Sequence, residues 1–246
     1  MRVAIVSDIH GSLLALDAVI SDLNRVSPDL VLQGGDLATT GPRPAEVVDR
    51  IRELGWPGVV GNTDELIWRL DQYELVCQNA PRLRPWLDVL FHTLGPWAGD
   101  RLGSERVAWL RSLPMTYRLD DVVLLHASPG NLWRGPMPNA SDDELIATFD
   151  SLGARLVVYG HIHRPFVRQV AEFVVANSGS VGMPWDGDNR PSYVVIDDGV
   201  VSVRRVEYDL DNAERDLHEA GFPLSDWLAR TLKEAEFRQP ASTDRA

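Results

Sequence analysis

Residues 160–165 read GHIHRP and place two histidines, His161 and His163, directly behind the apolar run RLVVY. Imidazoles at the mouth of a buried strand are not needed for packing, so they are candidates to bind something. Four other apolar runs end in a similar way. VAIVSD ends in Asp8, with His10 just beyond; LVLQGGD ends in Asp36; GVVGN ends in Asn62, followed by Thr63 and Asp64; VVLLHAS carries His126. Taken singly, an Asp or Asn after a strand caps the next helix, and a His there is a hydrogen-bonded surface residue. Five successive runs that all end in metal-ligating types call for a common cause.

The donor chemistry narrows that cause. Asp8, Asp36 and Asn62 offer oxygens, and His10, His126, His161 and His163 offer imidazoles. That set exceeds the four ligands of a tetrahedral zinc site. Shared between two metals, with one carboxylate bridging, it suits a dinuclear centre. Mixed nitrogen and oxygen donors favour Mn, Fe, Zn, Co or Ni over Ca or Mg. The two aspartates would repel each other unless cations separate them.

The elements that must position these groups follow from the same runs. Val, Ile and Leu without alternation predict strands buried on both faces. In a parallel sheet the C-terminal strand ends open on one edge, where ligands bind. Between the runs, SLLALDAVISDL at 12–23 keeps a helical period, and PAEVVDRIREL at 44–54 opens with Pro and Glu as helix starts do. After His163 the chain turns β-rich in PFVRQV, EFVVANS, SYVVIDD and VVSVRRVEY. Residues 210–246 read as a C-terminal helix and tail, with an acidic helical pattern from Asn212 to about Phe237. Residues 66–118 break the rhythm with Trp68, Trp86, Trp97, Trp109 and several prolines. They predict a helical insertion that shapes substrate choice without supplying metal ligands; core packing is the first explanation for the tryptophans themselves. With no internal repeat or linker, residues 1–246 read as a single α/β domain.

From Val3 to about Val206 the blocks DIH, GGD, GN, the lone His126 and GHIH, with the turn NSGSVGMP at 177–184, resemble the calcineurin-like metallophosphoesterases. The likeness is strongest to their small bacterial and archaeal phosphodiesterase-like branch. The resemblance implies a four-layer α/β/β/α sandwich, two packed sheets flanked by helices, with the β-rich third in the second sheet. It implies one metal at Asp8, His10, Asp36 and His163 and another at Asp36, Asn62, His126 and His161, with Asp36 as the bridge. It implies a phosphoesterase acting on phosphodiesters or phosphomonoesters, in which a metal-bridging hydroxide attacks phosphorus in line.

Much of that family carries a histidine after GN as proton donor to the leaving group, whereas this chain has Thr63. A hydroxyl without a neighbouring acid is a poor general acid, so the expectation is an enzyme favouring leaving groups that depart unprotonated. Asp64 either supports a metal-binding imidazole or caps a helix. Arg134, in SPGNLWRGP, and Arg164, beside the histidines, are candidates to clamp phosphate.

Composition bounds the function further. The 246 residues are 44% hydrophobic and 24% charged, which is globular. A net charge of -12 disfavours long nucleic acid as a partner but admits a small phosphorylated substrate where cations sit in the site. The single cysteine, Cys77, excludes an intramolecular disulfide and reads as a small buried hydrophobe. The first apolar run is too short for a signal peptide, and no run is long enough for a membrane helix. These features predict a cytoplasmic protein with no membrane partner. A noncatalytic metal-binding scaffold of the same fold is the alternative, and retention of every ligand-type residue argues against it.

Overall fold

Side chains of β1 (Arg2–Val6) point alternately into two different cores, and that split defines the architecture. Val3 and Ile5 pack with Leu32, Leu124, Val158 and Ala176, between two sheets. Ala4 and Val6 pack with Leu16, Val19, Val47 and Ile51, beneath helices α1 (Leu13–Val26) and α2 (Pro44–Leu54). A computed structural model describes residues 1–240; positions 241–246, the end of the expected tail, lie outside the described residues.

The first sheet has the order β2 (Leu30–Gln33), β1, β8 (Ser192–Asp197), β9 (Val200–Arg205), with β1 parallel to β2 and antiparallel to β8. The second runs β3 (Thr116–Leu119), β4 (Val122–Leu125), β5 (Leu156–Tyr159), β7 (Phe173–Asn177), β6 (Phe166–Val170), and β4, β5 and β7 are parallel. Its outer face, Val123, Leu125, Val157, Tyr159 and Val175, is covered by Leu145 and Phe149 of α7 (Asp142–Phe149). The layers are therefore helix, sheet, sheet, helix. The strands that carry the candidate ligands belong to two packed sheets, as the family resemblance implies, and not to one parallel sheet.

Three expectations change. The run GVVGN is not a strand: it makes one parallel bridge, Gly58 to Gln33, and then the Val60 N–H turns away to the Pro114 carbonyl. Only two apolar residues separate Pro57 from Gly61, and Gly61 already caps α3 (Asn62–Leu66), so no ladder has room to form. The helical insertion comprises α4 (Tyr73–Asn79), α5 (Arg84–Val89) and α6 (Gly95–Ser112), the last broken at Gly103. It ends before residue 118, because Thr116–Leu119 is β3, a half-exposed edge strand paired with β4. The C-terminal helical stretch is two helices, α8 (Leu210–Glu219) and α9 (Ser225–Glu234), separated around Gly221 and Pro223.

Insertion and C-terminal helices share one core. Leu66, Val76, Trp86, Phe91 and Leu94 pack with Leu217, Phe222, Trp227 and Leu228, and Met183 joins them. Trp97 meets Phe222 edge-on, while Trp68 and Trp109 lie against the core under the first sheet, so all four tryptophans of the insertion are packing residues. Cys77 is buried in the same cluster. Among the described residues no helix is long and apolar enough to cross a membrane.

Candidate metal centre

The loops that leave β1 and β2 stay paired beyond the strands. Asp8 N–H donates to the Gly35 carbonyl (3.0 Å), His10 N–H to that of Asp36 (2.9 Å) and Gly11 N–H to that of Leu37 (2.8 Å). This zipper places Asp8, His10 and Asp36 side by side. The backbone is held in an uncommon state to achieve it. Asp8, His10, Asp36, His161 and His163 all have left-handed φ values, 56°, 50°, 53°, 67° and 55°. For residues with a Cβ that conformation costs roughly 1–3 kcal/mol each and persists where surrounding structure enforces it, typically at functional sites. Two glycines make room for the carboxylates: a Cβ on Gly61 would lie 2.1 Å from Asp36 Oδ1, and one on Gly160 would lie 2.2 Å from Asp8 Oδ2.

One half of the site is a buried cluster. Asp8, His10, Asp36 and His163 each offer a donor atom, all within 4.8 Å of one another. His10 Nδ1 donates to the Thr39 carbonyl at 2.7 Å, and His163 Nδ1 donates to the Met183 carbonyl at 2.5 Å. A carbonyl only accepts, so Nδ1 carries a proton in both rings, and in their neutral form both Nε2 atoms are lone pairs. Those Nε2 atoms face each other at 3.1 Å. His163 Nε2 is also 3.2 Å from Asp8 Oδ1.

The other half is built on Asn62. Its Oδ1 lies 2.9 Å from His126 Nε2 and 2.9 Å from His161 Nδ1. His126 Nδ1 donates to the Gly34 carbonyl at 2.8 Å, which again leaves its Nε2 as a lone pair. Asp36 stands between the halves: Oδ2 is 3.6 Å from His10 Nε2, and Oδ1 is 3.5 Å from His126 Nε2.

Among the described residues no arginine or lysine pairs with Asp8 or Asp36. Two buried carboxylates and three inward-facing imidazole lone pairs therefore share one space without a fixed positive side chain. Such a donor set fits divalent cations of the mixed N/O class. Burial pushes the Asp8 carboxyl up, but when the neighbouring imidazoles carry a second proton their charge, that of His163 first with His126 and His10 behind, outweighs burial and holds it well below the carboxylate range. Burial lowers His10 despite Asp36 and Asp8 nearby. Burial also opposes charge on His126, yet Asp36 and Asp8 raise it above the ordinary imidazole value. His161 drops to about 4 through burial and the neighbouring His126.

The remaining expected residues fall around this centre. Asp64 touches no imidazole. Its carboxylate accepts the N–H groups of Leu37 (2.9 Å), Ala38 (3.2 Å) and Gly61 (3.2 Å), so it caps α3 and ties that helix to the loop after Asp36. Burial and then the charge of Asp36 push its carboxyl up to about 7. Thr63 N–H donates to Asp36 Oδ1 at 2.9 Å, but its hydroxyl is buried with no partner among the described residues. Arg134 is exposed, and its side chain makes no hydrogen bond or ion pair among the described residues. Arg164 is exposed, and its Nε donates to the Trp185 carbonyl at 2.9 Å.

Sequence reasoning missed the groups that brace the ligands. Asn177 Nδ2 donates to the Gly160 carbonyl (2.6 Å), and Ser180 Oγ donates to the Asp8 carbonyl (2.7 Å). Trp185 stacks on the His163 ring, with centroids 3.8 Å apart and planes at 21°. The NSGSVGMP turn was the available signal, because it supplies Asn177, Ser180 and the Met183 carbonyl.

A sequence model of the calcineurin-like phosphoesterase superfamily domain matches residues 1–198. The chain is 29% identical to the MJ0912 protein of Methanocaldococcus jannaschii over 257 residues, covering 94% of this chain and 96% of that one. It is 29% identical to phosphodiesterase YfcE of Escherichia coli K12 over 216 residues, covering 82% and 91%. The crystal structure of a metallophosphoesterase from Sphaerobacter thermophilus matches with a TM-score of 0.77 at 30% identity, covering 96% of this chain and 100% of that one. Protein PH1004 of Pyrococcus horikoshii OT3 shares the fold, with a TM-score of 0.82 at 19% identity over 96% and 99% of the two chains. The chain therefore belongs to the calcineurin-like phosphoesterase superfamily and is a hydrolase of phosphate esters.

Proposed function

We propose that the chain hydrolyses phosphodiester or phosphomonoester bonds of small substrates at a dinuclear metal centre, with phosphodiesters the first class to test because YfcE, a relative, is a phosphodiesterase. The observation that carries this reading is the placement of Asp36, whose two oxygens face different histidines, His10 and His126. In this reading Asp8, His10, Asp36 and His163 hold one divalent transition metal (Mn, Zn, Fe, Co or Ni), and Asp36, Asn62, His126 and His161 hold the other. When bound, such ions neutralise phosphate oxygens and acidify an attacking water.

The chain's own residues do the rest. Nδ1 bonds to the carbonyls of Thr39, Met183 and Gly34 fix the tautomer and aim of His10, His163 and His126. Asp64 positions the Asp36 loop against α3 and touches no reacting atom. Thr63 has no acid beside its hydroxyl, so the protein gives the leaving group no proton from that position. Arg134 is free to meet a phosphate oxygen, and Arg164 contributes charge beside the histidines. A net charge of -12 supports small substrates over long nucleic acid. A lone buried thiol, and no membrane-crossing helix among the described residues, support a cytoplasmic setting.

The test is an activity screen of metal-reconstituted protein over phosphate mono- and diesters, with chelated protein and Asp36→Asn as controls. Turnover that needs metal and Asp36 is expected. Metal binding with no turnover of any phosphate ester would favour the scaffold reading instead.

A further inference from the structure

The family match ends at residue 198, yet the segment following α9 reaches back to a candidate metal ligand. His163 sits in a left-handed conformation (φ 55°) and is held from residues 183–185 on several sides. The Met183 carbonyl accepts from Nδ1, Trp185 N–H donates to the His163 carbonyl (3.1 Å), and the Trp185 ring stacks on the imidazole. The indole N–H is buried without an acceptor among the described residues, so hydrogen bonding does not account for an indole here; its ring face does.

Trp185 is in turn held by the C-terminal segment. Phe237 packs on the indole at 4.9 Å between centroids, and Gly187 N–H donates to the Ala235 carbonyl at 3.0 Å. Phe237 meets Trp86 of α5 edge-on at 5.7 Å. Trp227 Nε1 donates to the Arg238 carbonyl (2.8 Å), and Gln239 Nε2 donates to the Arg82 carbonyl (3.1 Å). Residues 235–239 are thus tied to the insertion on one side and to the loop at 185–187 on the other.

We propose that residues 235–239 form a clasp that positions His163 through Trp185, so that cation affinity in this half of the site depends on Phe237. The proposal rests on His163 being a cation ligand, as in the proposed function. An imidazole fixed only through Nδ1 can pivot about that bond, which swings Nε2 out of line. A ring pressed on its face removes that freedom. Groups that orient a metal-ligating histidine from behind are typically worth about 10–100-fold in metal affinity.

The test is titration of the full chain with Co²⁺ or Mn²⁺ against a chromophoric chelator, with the Co²⁺ visible spectrum as a second readout. Trp185→Ala is expected to weaken one of the two cation sites by about 10–100-fold and shift its Co²⁺ bands, while the other site keeps its affinity. Phe237→Ala should weaken the same site by less, and Trp185→Phe, which retains a ring, should restore most of the affinity. Phe237→Ala with wild-type affinity and spectrum overturns the clasp, whatever Trp185→Ala does. Equal weakening of both sites together with a fall in Tm also overturns it, because that is general destabilisation. Should Trp185→Ala fail to fold, Trp185→Phe and Phe237→Ala decide alone. Wild-type protein that binds no cation overturns the metal reading itself; wild type binding cations with unaffected variants overturns only the clasp.

Discussion

Two places among the described residues bury carboxylates, and they are built in opposite ways. Asp22, 5% exposed on α1, accepts from Arg204 Nε (2.9 Å), Arg25 (3.0 Å) and the Tyr193 hydroxyl (2.7 Å). Burial opposes its charge, but these donors outweigh it and hold the carboxyl at about 2. Asp8 and Asp36 are at least as buried and have no arginine or lysine partner among the described residues. Their neighbours are imidazoles whose lone pairs point inward. Asp22 also lies in regular helix, while Asp8 and Asp36 are in left-handed turns. A buried acid with its own cations serves the fold. Buried acids without them, in strained backbone, form a receptacle for positive charge supplied from outside.

The comparison is broken most directly at Asp36. Asp36→Asn should lower kcat/KM on an aryl phosphodiester by about 10³-fold or more under saturating Mn²⁺, since charge is lost where it serves both halves. The circular dichroism spectrum should stay native, because Asn keeps an oxygen for the Thr63 N–H. Near wild-type turnover would remove Asp36 from its central role.

A second effect follows from the missing acid. Wild type should hydrolyse aryl esters faster than simple alkyl esters by about 10²–10⁴-fold beyond the solution difference, the range a general acid normally supplies. The measurement is the slope of log kcat against leaving-group pKa. A flat slope, with chemistry rate-limiting, would mean that another group donates the proton.

Asp22 supplies the opposite pattern. Asp22→Asn should cost about 2 kcal/mol of stability, as loss of charged hydrogen bonds does, and leave metal content unchanged. Its folded pKa of about 2 lies below the unfolded value of about 3.9, so its stabilisation is complete above the unfolded value. It is lost as pH falls through the folded value. The urea-midpoint gap between wild type and Asp22→Asn should therefore hold at pH 7, shrink below about pH 4 and close near pH 2. The smallest effect is at Thr63. Its hydroxyl has no partner among the described residues, so Thr63→Val should leave turnover unchanged and stability equal to wild type or up to about 1 kcal/mol higher, since an unpaired buried hydroxyl is removed.

Most of the candidate site could be read from residue types, because every candidate ligand except Asn62 follows a run that forms a strand. Asp8, Asp36, His126, His161 and His163 needed only the rule that such ends converge. The second sheet did not follow from that rule, since local pattern does not say which strands pair across 100 or more residues, as β1 and β8 do. Asp64 was ambiguous because a carboxylate two residues into a helix serves a cap or an imidazole equally well, and only its distances to Leu37, Ala38 and Gly61 decide. Trp185 and Phe237 carried no signal, because an aromatic that braces a ligand has the same composition and spacing as one that fills a core.

In the proposed function Asp36 joins two cations, and metal content per chain of Mn²⁺-loaded, gel-filtered protein, read together with its electron paramagnetic resonance spectrum, decides whether it does. About two Mn²⁺ per chain with an exchange-coupled signal, as closely spaced two-metal sites give, are expected, with that coupling lost in Asp36→Asn. One ion per chain, or two that are uncoupled in wild type, would rule the bridge out.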